Sequence, residues 1–132
     1  MRYATALGRN PADTYRQIDM AGRTAEASGH ALVELLYDEL GHALRAAGYA
    51  AANDQYAIRA EKVSRSMAIL FALEAGLDYD AGGDVARTLS RLYSGARQTV
   101  ADASLGRDAG PFTDIADSMA EIAAAWRSVG RA

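Results

Sequence analysis

The chain has 132 residues, 17 acidic against 14 basic, and a net charge of −3. That length suits one domain able to bury a core of its own; the lack of cysteine excludes disulfides, thiolate nucleophiles and zinc–thiolate sites, and scattered arginines with a lone lysine, Lys62, give no electrostatic basis for binding nucleic acid. The longest apolar run, Met67 to Leu73, is far too short to span a bilayer, and the N-terminus has no apolar h-region of a secretory signal, so a cytoplasmic protein that does not insert into membranes is expected.

Residues 1–11 read as a loose arm, and residues 12–24 as a short helix with Tyr15 and Ile18 on one side. The first long helix is expected to start at Ser28, a favourable N-cap. Leu32, Leu36, Leu40, Ala43, Leu44 and Ala47 recur at helical spacing to form its core face, with Gly48 as its end. A second helix is expected from about Asn53, with Tyr56, Ala60, Val63, Met67, Leu70 and Leu77 on its face. Ile69, Phe71 and Leu73 add apolar residues on its other sides. A third begins near Gly82 to Asp84 and carries Val85, Leu89, Leu92, Tyr93, Ala96 and Val100, ending by Gly106. The fourth begins at Pro111, where proline is tolerated, and has the cleanest stripe: Phe112, Ile115, Met119, Ile122, Ala123 and Trp126.

Alanine is abundant, β-branched residues are few, and no segment alternates in the manner of a strand. The expected fold is therefore all-α, an antiparallel four-helix bundle over residues 25–132 preceded by an N-terminal arm and short helix over 1–24.

Few side chains suggest chemistry. Glu39 and His42 have the Glu-x-x-His spacing of di-iron bundles, but the chain has two histidines in all, and such a centre needs two of these pairs and two more glutamates. A metal-binding bundle on Glu39 and His42 is thus the weakest alternative. Gly82-Gly83 ahead of a helix resembles an anion cradle, yet Asp78, Asp80 and Asp84 surround it and repel a phosphate. The same aspartates lack the spacing and closing glutamate of a calcium loop. No nucleophile elbow is present. No enzyme activity, no cofactor and no metal are expected.

The seven tyrosines suit interfaces and core edges alike. With the apolar excess at Ile69, Phe71 and Leu73 they imply a groove that needs a cover. The N-terminal helix, a second subunit or a partner protein would serve equally, so a dimerisation or adaptor bundle with some other client stands as the alternative reading.

One set of motifs is more specific. Tyr15 precedes Ser28 and the run ALVELLYDEL at Ala31–Leu40; then come AGLD at Ala75–Asp78, GGDVA at Gly82–Ala86, LSRLY at Leu89–Tyr93 and AAW at Ala124–Trp126. In order and spacing these resemble the flagellar secretion chaperone family FliS over roughly residues 12–129. Gly29 stands where the family has proline, and Glu39 where it has glycine. The resemblance implies a small helical bundle that binds the C-terminal segment of flagellin in the cytoplasm. It also implies that the bundle prevents premature polymerisation and assists delivery to the flagellar type III export gate, as a monomer or homodimer. The family's disordered client becomes helical on its chaperone, and the segment that matches Tyr15 occupies a hydrophobic pocket. The partner-contact residues expected from the resemblance and the apolar excess are Tyr15, Ile18, Tyr37, Ile69, Phe71, Leu73 and Tyr93.

Overall fold

The computed structural model describes residues 25–131, with side chains described from 29 to 128. The expected N-terminal arm and helix, and with them Tyr15 and Ile18, lie outside the described residues. Within them the chain forms four helices and no strand: α1 (Ala25–Ala52), α2 (Tyr56–Ala75), α3 (Tyr79–Ala103) and α4 (Gly110–Arg131). The fold class is the expected one. Helix α1 packs on α2 and α4, while α3 packs on α2 and, more thinly, on α4. Short turns join α1 to α2 and α2 to α3, so neighbours run antiparallel.

The core is built from the apolar stripes. Leu36, Leu40, Leu44 and Ala47 of α1 meet Ile69, Leu70 and Leu73 of α2, Tyr93 and Val100 of α3, and Phe112, Ile115 and Met119 of α4. Several local expectations differ. Helix α1 starts at Ala25, so Ser28 lies inside it and is not its cap. Gly48 does not end α1, which runs on to Ala52. Gly48 is instead a packing notch: a Cβ there would stand 3.3 Å from the Phe112 Cβ and 3.4 Å from the Ala109 carbonyl oxygen, where α4 begins.

At the start of α2, Tyr56 and Ala60 face solvent and Arg59 takes the buried position. Arg59 lies over the Tyr56 ring at 4.9 Å and donates to the Gly106 carbonyl at 2.9 Å. Arg107 pairs with Asp54 at 3.0 Å. These two arginines tie the α1–α2 turn to the α3–α4 loop, so this end of the bundle is closed. Asp54 itself adopts φ 57° to make the turn, a conformation that aspartate tolerates better than most residues.

Helix α3 has its break where the sequence suggested its start. Asp78 caps it, accepting from the Ala81 N–H at 3.0 Å. One turn later Gly83 sits at φ 50°, ψ −123°, a combination that strains any residue with a Cβ. Regular helix resumes at Asp84.

Candidate partner-binding groove

At the end opposite the arginine ties, the core is uncovered among the described residues. The beginnings of α1 and α3 and the ends of α2 and α4 meet there around a cavity of about 790 Å³, within the size range of ligand sites. Leu32, Val33, Leu36 and Tyr37 form the α1 wall, Ala72 and Leu73 the α2 wall, and Val85, Ala86, Leu89 and Tyr93 the α3 wall. Trp126 is the α4 contribution. The opening exists because α3 approaches α4 poorly, and because α3 places small residues here, Ala81, Gly82 and Ala86. The walls carry few polar groups.

Those few polar groups are specific. The Tyr37 and Tyr93 hydroxyls hydrogen-bond to each other across the bundle. Burial pushes both phenols above their ordinary value. The Trp126 indole N–H donates to the His30 carbonyl at 3.2 Å, and the two rings stack at 4.2 Å between centroids with 11° between planes. The indole is thus held against α1 as one jamb of the opening. Val85, 66% exposed, stands on the facing α3 wall. A shallower cavity of about 590 Å³ follows the α3–α4 seam, between Leu92, Gly95 and Ala96 on one side and Ile115 and Met119 on the other.

The structure sorts the residues singled out by sequence. Tyr37, Leu73 and Tyr93 come together on the groove walls. Ile69 does not: it has no exposed surface and belongs to the core between helices, because α2 rotates its Ile69–Leu70 pair inward and leaves Ala60 outside. Phe71 also lies away from the groove. It is half exposed on α2 with the Arg97 guanidinium 4.1 Å above its ring. Arg97 in turn pairs with Glu74, which also accepts from Ser90, so Phe71 helps fasten α2 to α3. Glu39, the acid of the Glu-x-x-His pair, accepts from Arg65 at 2.6 Å and so ties α1 to α2.

Sequence reasoning missed Leu32, Val33, Val85, Leu89 and Trp126 as groove residues, reading those it placed as core. The available signal was the width of the α3 stripe, which carries more large apolar residues than its small buried set, Ala86, Tyr93, Ala96 and Val100, can use. Among the described residues no helix is long and apolar enough to cross a membrane, and no group of three or more metal-ligating side chains occurs.

Comparison with known proteins agrees with the motif set. The family model described as "Flagellar protein FliS" matches residues 11–132. The Flagellar secretion chaperone FliS of Salmonella typhimurium is 30% identical over 116 residues, covering 87% of this chain and 86% of that protein. The protein of the same name from Campylobacter jejuni is 32% identical over 98 residues, 74% of this chain and 77% of its own length, and that of Vibrio cholerae is 22% identical over 121 residues, 92% and 89% respectively. With a family model spanning nearly the whole chain and a groove-bearing four-helix bundle beneath it, this chain belongs to the FliS family of flagellar secretion chaperones.

Proposed function

We propose that the protein is a cytoplasmic, non-catalytic export chaperone that binds the C-terminal segment of flagellin, keeps it from polymerising and assists its delivery to the flagellar type III export gate. The open apolar end of the bundle is the observation that carries this reading. A preformed slot between four helix ends suits an amphipathic helix that completes the core. The energetics favour such a client. Ordering a disordered segment removes about 2–5 kcal/mol or more from the gross interaction. Four large apolar anchors at about 1.5–3 kcal/mol each, fully buried, outweigh it.

The proposed contacts are Leu73, Val85, Leu89 and Trp126, with Tyr37 and Tyr93 at the floor. Tyr15 and Ile18 remain proposed contacts on the strength of the family resemblance alone. Titration of a C-terminal flagellin peptide from the same organism into the full chain tests the reading. Trp126, the only tryptophan, reports on the groove, so binding should release heat with a negative heat-capacity change and shift its emission. A titration with neither heat nor emission change would remove flagellin as the client.

A further inference from the structure

The groove is apolar on its walls but has a charged corner. Among the described lining residues, Asp78 is the only one that is formally charged. It stands on the α2–α3 turn, with Asp80 and Asp84 both exposed on the next helical turn. Three other charges act at this corner. Arg87 pairs with Asp84 and offsets one carboxylate. The α3 N-terminus supplies about half a positive charge and the α2 C-terminus about half a negative one, and these nearly cancel. The corner therefore keeps close to two negative charges beside a slot with no compensating cation in its described lining. On the Trp126 side, Arg127 lies 3.8 Å from Asp38, so those two charges offset each other.

We infer that the occupant of the groove is an amphipathic helix whose inserted face carries no acid and whose flank at the α2–α3 corner carries lysine or arginine. The inference rests on the client reading above and specifies the client's charge pattern. A buried acid on the inserted face would meet only apolar walls and the tyrosine floor, and Asp78 at their edge would repel it. A basic flank gains from the corner while staying in water, where it sets orientation and speeds encounter. A second copy of this chain fits less well, because its own charge of −3 adds repulsion at contact.

Two synthetic amphipathic peptides of 18 residues test this, with identical leucines at i, i+3, i+4 and i+7 spacing and polar flanks of lysine in one and glutamate in the other. Each is titrated into the full chain, with Trp126 emission as readout. The lysine peptide should bind roughly fivefold more tightly at low salt, the scale of exposed ion pairs. The gap should close at 1 M salt, where the Debye length falls to about 3 Å. Asp80→Lys, at a position outside the groove lining, brings the corner close to neutral and should abolish the preference while leaving the helical circular dichroism unchanged. Equal binding of the two peptides at low salt, or a preference untouched by Asp80→Lys, overturns the charge inference and leaves the groove reading standing. Failure of both peptides to bind overturns the groove reading and this inference with it.

Discussion

The Tyr37–Tyr93 hydroxyl pair allows a quantitative test of how dry the groove floor is. Both residues are almost fully buried, at 5% and 2% exposure, and each hydroxyl bonds the other. Tyr37→Phe removes one partner and strands the Tyr93 hydroxyl; Tyr93→Phe does the converse. Each single change should cost about 1–3 kcal/mol, the penalty of an unsatisfied buried hydroxyl. The double Phe variant removes donor and acceptor together and should cost less than either single alone, because nothing polar is stranded. The coupling energy of the cycle should then be larger than the cost of either single change, the sign of side chains in direct contact. Urea unfolding followed by circular dichroism measures all four proteins, and an unchanged m-value licenses the comparison. Near-additive singles, each costing under about 0.5 kcal/mol, would show that water reaches the hydroxyls and refute the dry floor. The same burial fixes a pH dependence. Both phenols titrate above their ordinary value of 10.0 when folded, so their contribution is fully present below pH 10 and is lost as pH rises beyond it. The double Phe variant should lack that part of the alkaline loss.

Four further outcomes follow from single features. Val85→Asp, on an exposed groove wall, should change stability by no more than about 0.5 kcal/mol yet weaken flagellin-peptide binding at least roughly tenfold, about 1.4 kcal/mol, as read by calorimetry. Gly83→Ala should destabilise by about 1–3 kcal/mol in urea unfolding, through backbone conformation alone, because nothing lies within 4 Å of the added Cβ. Gly48→Ala should lose less, no more than about 2 kcal/mol, because crowding of the Phe112 Cβ and Ala109 at about 1–3 kcal/mol is offset by about 1 kcal/mol of helix propensity. Glu74, held below the usual carboxylate value chiefly by the Arg97 hydrogen bond, contributes stability that is present above its unfolded value and lost as pH falls through the folded one; Glu74→Gln should flatten the acid limb of the pH–stability profile.

The bundle was legible because its signals are periodic and local. The stripes of α1 and α4 pick out Leu36, Leu40, Ala43, Leu44 and Ala47, and Phe112, Ile115, Met119 and Ala123, as buried, while Leu32, Ile122 and Trp126 from the same stripes stay partly exposed. Where prediction slipped, two helices competed for one position. Gly48 reads as a stop in isolation, but α1 continues because the start of α4 needs that notch. Tyr56 and Ala60 fit the period of α2, but Arg59 is drawn inward by the Gly106 carbonyl, which comes from a loop 47 residues away. The groove was half legible. Its floor tyrosines stand in the family motifs, whereas its α3 wall reads as ordinary core. Val85 and Leu89 repeat at i and i+4 like any buried pair, and only the splay of α3 from α4 leaves them uncovered. That splay is a property of how two successive helices meet, and no pattern within either helix encodes it.

The two ends of the molecule divide the work. At one end Arg59 and Arg107 bind helix and turn to loop, and Leu44, Val100 and Phe112 are fully buried between the helices. At the other the helices hold apart, with Tyr37 bonded to Tyr93, Trp126 stacked on His30, and Glu74 paired with Arg97 keeping their positions. Both ends are thus tied, and among the described residues the apolar end is uncovered while its walls are held in place. A client helix that enters meets walls already in place, so little of its binding energy goes into reorganising the chaperone. For a disordered client of the proposed kind the ordering entropy falls on the client instead, which keeps the complex reversible.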